Sequence, residues 1–95
     1  MCGIFFIDGT EYTTNVINNF NKSQHRGPDN SKIKIVDKLL FGFHRLRING
    51  VNTNSDQPFC INNIYLICNG EIYNHRHLKQ INNFKTVTDS DCEII

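Results

Sequence analysis

Apolar side chains fall in short blocks separated by polar, turn-forming stretches, and the spacing inside each block predicts an element. Cys2 to Asp8 is a nearly continuous apolar run, rich in β-formers and closed by Asp8-Gly9. It predicts a strand buried on both faces. From about Thr14 to Gln24, Val16, Ile17 and Phe20 recur at helical spacing behind Thr residues that can cap, and Gly27-Pro28 stops the helix. Lys32 to Val36 alternates as a half-exposed strand does, and Leu39, Leu40, Phe41 and Phe43 predict a second strand entering His44-Arg45-Leu46, the two forming a hairpin. Asn49 to Pro58 is polar and turn-rich and reads as a loop. Ile64 to Cys68 is the clearest strand, ending at the Asn69-Gly70 turn. Asn74 can cap a short helix through His75 to Ile81, and Phe84 to Val87 reads as a further strand. Ser90-Asp91-Cys92-Glu93 has capping-box spacing, yet the chain stops at Ile95, within the first turn, so the expectation is a domain cut short.

Ninety-five residues support one domain with one modest core, because a chain this short leaves about a third or more of its potential surface exposed. The formal net charge of +1 gives no electrostatic reason to invoke nucleic acid or membrane. The first residues lack a basic n-region, and their apolar run is far shorter than a membrane span. A cytoplasmic location follows as the expectation. Four cysteines, Cys2, Cys60, Cys68 and Cys92, form no C-x-x-C pair, which argues against zinc or a redox dithiol and reads the last three as small buried apolar residues. His75 and His77 are two apart and do not share a helical face, so no metal set is completed. Arg76, His77 and Lys79 read as the solvated side of that helix.

Position 2 carries the chemistry. A cysteine after the initiator is small enough for Met1 to be removed, which leaves Cys2 with a free α-amine. With a reference pKa of about 7.7 to 8.0, that amine is partly neutral near physiological pH and can take the thiol proton, so nucleophile and base arrive on one residue. Gly3 clears space for close approach of a substrate to the backbone. Amide hydrolysis needs donors aimed at an oxyanion, and Asn69-Gly70 offers a side-chain NH2 and a backbone N–H in adjacent positions. A free amino acid as substrate needs a cation for its α-carboxylate, for which Arg45 and Arg47 are candidates, and carboxylates for its α-ammonium, for which Glu71 and Asp91 are candidates.

In order along the chain stand Met1-Cys2-Gly3-Ile4, His25-Arg26-Gly27-Pro28-Asp29, Arg45-Leu46, Gln57-Pro58-Phe59, Asn69-Gly70-Glu71-Ile72-Tyr73-Asn74 and Ser90-Asp91-Cys92-Glu93. This set resembles class II glutamine amidotransferase domains, of the type found in glutamine-hydrolysing asparagine synthetases. The resemblance spans the chain and covers about the first half of the family's domain. It implies an α+β fold, an N-terminal nucleophile hydrolase αββα sandwich with antiparallel sheets, incomplete here, with residues 1–95 as a single partial domain.

By resemblance, Cys2 is the nucleophile that forms a glutamyl thioester, and Asn69 with the Gly70 N–H makes the oxyanion hole. Arg45 holds the substrate carboxylate, Glu71 and Asp91 hold the α-ammonium, and the backbone at Ile48 and Asn49 approaches the substrate. Arg26 and Asp29 are scaffold near the pocket. Phe43 stands where many family members carry His, and His44 directly precedes Arg45.

The implied partners are L-glutamine and a separate synthetase chain or a complementing half-domain. No metal or organic cofactor is implied. Two readings stay open at this level. One is hydrolysis of glutamine to glutamate and ammonia; the other is a non-catalytic remnant or interaction module whose exposed strands pair with a complementary fragment.

Overall fold

The computed structural model describes residues 2–9, 13–48 and 52–95. It is a small α+β arrangement with two antiparallel sheets. The first sheet has the order β1-β3-β2, with β1 Gly3–Asp8, β2 Asn30–Val36 and β3 Leu39–Arg45. The hairpin expected between β2 and β3 is present, and Asp37 in its turn adopts φ 53°, a left-handed conformation that Asp tolerates better than most residues. The second sheet is the hairpin of β4 (Phe59–Ile61) and β5 (Ile64–Leu66). Asn62 and Asn63 between them have φ 50° and 62°, the pair of positive values that a two-residue turn of matching twist requires.

Central position explains why β3 is the core strand: Leu40 through Arg45 are all buried. Strand pairing sorts its side chains. Gly3, Phe5, Gly42 and His44 share one face; Ile4, Phe6, Phe41 and Arg45 share the other. Helix α1 (Thr14–Lys22) lies on the first face through Phe20, which meets Phe5 edge to face at 5.9 Å and stacks on the His44 ring at 3.9 Å. The ring fits because position 42 is glycine: a Cβ there would lie 2.6 Å from Phe20 Cε2. The Tyr65 ring stacks on Phe41 at 5.6 Å, so the second hairpin covers part of the opposite face. Helix, sheet and hairpin therefore stack in three layers.

His44 is fully buried. Its Nε2 donates to the Phe20 carbonyl at 2.8 Å, which leaves Nδ1 to accept from the Ser31 hydroxyl at 2.7 Å. One imidazole thus joins α1, β2 and β3 with every polar atom satisfied.

Several expectations need correction. The first strand is not buried on both faces; it is a sheet edge, and Ile4 and Phe6 remain about half exposed. The strand expected over Ile64 to Cys68 ends at Leu66, because Phe59–Ile61 supplies only three partners. The strand expected over Phe84 to Val87 does not form. Among the described residues no neighbouring strand offers it a ladder, and Val87 is almost fully exposed. Cys60 is exposed and Cys68 half-buried, so of the three cysteines read as buried only Cys92 is.

The helix α2 (His75–Ile81) forms with Asn74 at its cap position but without a side-chain cap bond. At the end, Ser90 opens a 3-10 turn (Asp91–Ile94), its hydroxyl accepting from the Cys92 N–H. Glu93 does not complete the capping box. It accepts instead from the Val87 N–H, the Thr88 N–H and the Thr88 hydroxyl. Among the described residues no helix is long and apolar enough to cross a membrane.

Candidate active site

Register builds the site. Gly3 pairs with His44 and Asn30 with Arg45, so one step beyond the β1–β3 ladder Cys2 comes opposite Arg45, in a row with Asn30 across the sheet. The chain leaving β3 completes the contact. The Leu46 N–H points at Cys2 Sγ at 3.3 Å, and the thiol donates to the Leu46 carbonyl at 3.7 Å. These bonds hold the sulfur over the end of the central strand.

A cavity of about 330 Å³ opens beside it, the scale of a small-molecule cleft. Cys2, Arg45, Ile48, Gly70, Glu71 and Asp91 all line this cavity. Asn69 is exposed and is not in the lining. Asn49 lies outside the described residues, as does Met1. Gly70 presents its backbone to the cavity, and among the described residues nothing accepts a hydrogen bond from its N–H.

Arg45 and Asp91 already carry local duties. The Arg45 side chain is 3% exposed, and its Nη1 donates to Asp56 Oδ1 at 2.5 Å and to the Asn52 carbonyl at 2.5 Å. Asp56 also accepts from the Asn30 carboxamide, closing the row from Cys2 to Asn30 with a buried ion pair. Asp91 accepts from the Ile72 N–H at 2.6 Å, which fixes the segment after Gly70 against the terminal turn. Arg47, the second arginine candidate, is exposed and outside the lining; its backbone N–H donates to Asp29 Oδ2 at 2.7 Å. Asp29 thereby shapes the exit from β3, in keeping with a scaffold position.

Gln57 holds the other wall. Its carbonyl oxygen accepts from the Cys68 N–H at 2.5 Å, tying the loop before β4 to the strand that leads to Gly70. Gly27 sits where the chain crosses β3: a Cβ there would lie 2.1 Å from the His44 carbonyl oxygen, so only glycine lets the His25 to Asp29 segment lie against the strand.

Sequence reasoning missed Asp56 and Cys92 as parts of this region. The signal for Asp56 was a lone acid in a polar loop, indistinguishable from a surface charge. Cys92 lines the cavity with its thiol pushed up to about 12 from an ordinary 9.0, first by burial and then by the neighbouring Cys68 thiol and the Asp91 charge. Among the described residues no group of three or more His, Cys, Asp or Glu could hold a metal ion.

Comparison with known proteins gives the family of the sequence. The family model of the glutamine amidotransferase domain matches residues 1–95. A probable glutamine-hydrolysing asparagine synthetase of Acanthamoeba polyphaga mimivirus is 36% identical over the whole chain, which spans 19% of that protein. Glutamine-hydrolysing asparagine synthetase 1 of Saccharomyces cerevisiae is 36% identical over the whole chain and 18% of its own length. Glutamine-hydrolysing asparagine synthetase 2 of Bacillus subtilis is 42% identical over 75% of the chain and 10% of its own length. The chain thus spans a fifth or less of the relatives it matches. It belongs to the glutamine amidotransferase domain family.

Proposed function

We propose that this chain carries the glutaminase chemistry of its family: hydrolysis of the glutamine side-chain amide to glutamate and ammonia through a thioester on Cys2. The observation that carries the reading is the convergence of Cys2, Arg45, Gly70, Glu71 and Asp91 on one amino-acid-sized cavity. In the proposed reaction, Met1 is removed and the Cys2 α-amine takes the thiol proton as Sγ attacks the amide carbon. The oxyanion of the tetrahedral intermediate accepts from the Gly70 N–H, with Asn69 turning in as the second donor. The C–N bond then breaks, and the nitrogen leaves as ammonia with the proton held on the α-amine. Water, deprotonated by the same amine, splits the thioester and releases glutamate.

Arg45 would receive the substrate α-carboxylate, and Glu71 with Asp91 would hold the α-ammonium. The backbone at Ile48 and Asn49 would complete the wall. The three layers of helix, sheet and hairpin are compatible with part of an N-terminal nucleophile hydrolase sandwich, and we place residues 1–95 within a single such domain in the cytoplasm. The ammonia would pass to a synthetase site outside these residues, on a separate chain or on one that completes the domain. Retention of the site groups around one cavity favours catalysis over a purely structural module.

The test is release of ammonia and glutamate from glutamine by the purified chain. Turnover that disappears in Cys2→Ala, with the fold unchanged by circular dichroism, supports the reading. Turnover that survives Cys2→Ala, or none from a folded chain lacking Met1, contradicts it.

A further inference from the structure

Three of the four thiols, those of Cys2, Cys68 and Cys92, border the same cavity. Cys68 and Cys92 also flank one residue. Cys92 Sγ donates to the Gly70 carbonyl at 3.7 Å, and the position a Cβ would take on Gly70 is 3.9 Å from Cys68 Sγ. With no side chain at Gly70 to separate them, both thiols lie against the same residue, and the Cys68 thiol is near enough to help raise that of Cys92. Neither residue lies in a sheet ladder. Cys68 follows β5 by two residues and Cys92 sits in the terminal 3-10 turn, and each backbone N–H is held by a single side chain, Gln57 and Ser90 respectively. Bringing the two sulfurs to a bond of about 2.05 Å therefore disturbs no strand pairing.

We propose that Cys68 and Cys92 are an oxidisable pair that a hydroperoxide converts to a disulfide, cross-linking the Asn69-Gly70 turn to the terminal turn across the cavity wall. Cys68 is half-buried and faces the cavity, so it meets the oxidant first. Its thiolate attacks one peroxide oxygen; the O–O bond breaks, the alcohol or water leaves, and Cys68 becomes a sulfenic acid. Cys92 Sγ then attacks that sulfur, the S–O bond breaks, and the departing hydroxide takes the Cys92 proton as water. Two thiols and one hydroperoxide give one disulfide, one alcohol and one water, a two-electron oxidation of sulfur balanced by reduction of the peroxide. Burial keeps the Cys92 thiol protonated, which leaves the first attack on the peroxide to Cys68. Cys60, exposed on the β4–β5 hairpin, is outside this cluster. Formation of this cross-link depends on the placement of the two thiols beside Gly70 and not on glutamine hydrolysis.

The experiment treats the reduced, full 95-residue chain with one equivalent of hydrogen peroxide, blocks remaining thiols with a maleimide, and maps a non-reduced tryptic digest by mass spectrometry. The expected product joins peptide 48–76 to peptide 86–95 with the loss of two hydrogens, fragmentation placing the bond on Cys68 rather than Cys60. Cys60→Ser should leave the yield unchanged and Cys68→Ser should abolish the product. Oxidation in concentrated urea should lower the yield at least about fivefold, because the folded chain supplies the proximity. Recovery of Cys68 and Cys92 as maleimide adducts while other thiols oxidise would overturn the proposal. So would an equal yield in urea, or cross-links dominated by Cys2 or Cys60.

Discussion

The molecule is held together in two different ways. Residues up to Arg45 rest on ladders: β3 is hydrogen-bonded along its length on both sides and its Phe and Leu side chains are sealed by α1 and the second hairpin. Residues 67–95 contain no strand, and side chains staple their backbone: Gln57 to Cys68, Asp91 to Ile72, Glu93 to Val87 and Thr88. The proposed nucleophile Cys2 belongs to the first region, and Gly70, Glu71 and Asp91 to the second. Catalytic geometry of the proposed kind therefore depends on docking a polar-stapled segment onto a rigid sheet. Local opening concentrates where the backbone lacks ladders and buried apolar contacts, so the second region should set when the cavity is formed.

Breaking the polar anchor beneath the cavity should have the largest effect. Asp56→Ala removes the carboxylate that faces the buried Arg45 charge and should cost about 3–5 kcal/mol, read as a lowered midpoint in urea unfolding of the whole chain. A loss below about 1 kcal/mol would show that the guanidinium finds water instead. Within the ladder region, Gly42→Ala drives a methyl into the Phe20 ring and should cost about 1–3 kcal/mol, with faster hydrogen exchange in α1 and β3 together.

Removing a staple should act locally. Glu93→Ala deprives the amides of Val87 and Thr88 of their acceptor and should destabilise by about 1.5–2 kcal/mol at most. Exchange at those two amides should accelerate while β3 amides keep wild-type protection. Equal acceleration in β3 would mean that the two regions open as one.

The effect smallest at neutral pH is a pH dependence that emerges only in base. Burial pushes the Cys92 thiol up to about 12 in the folded chain from 9.0. The unfolded chain therefore loses this proton first as pH rises. Stability from this group is intact below pH 9 and declines between about 9 and 12. Cys92→Ala should flatten that decline in thermal melts. Within the wild-type chain, iodoacetamide should modify Cys92 last among the four cysteines at pH 8.

What could be read from the sequence follows the same division. The run Leu39 to Phe43 and the alternation of Lys32 to Val36 gave β3 and β2, because apolar periodicity reports ladder-built structure directly. The helix at Thr14–Lys22 was legible for the same reason. Phe59–Ile61 was not recognised as a strand, since three residues after a Pro carry too little pattern, and only the Asn62-Asn63 pair marked its turn. Phe84 to Val87 misled: its composition suits a strand, but β-structure requires a neighbour that the described residues do not provide. Cys2, Arg45, Ile48, Gly70, Glu71 and Asp91 were nameable individually, and all six meet at one cavity. Their arrangement was not legible, because it depends on strand register and on partners far along the chain. The Asp56 to Arg45 pair and the His44 bond to Phe20 are of this kind.

The most direct test of the central claim is an intact mass of the chain before and after exposure to a diazoketone analogue of glutamine, an electrophile that modifies an activated nucleophile in a formed pocket. Loss of Met1 and a single adduct on Cys2, suppressed by excess glutamine, is the expected result. Retained Met1, an adduct on another cysteine, or labelling that glutamine does not protect would contradict it.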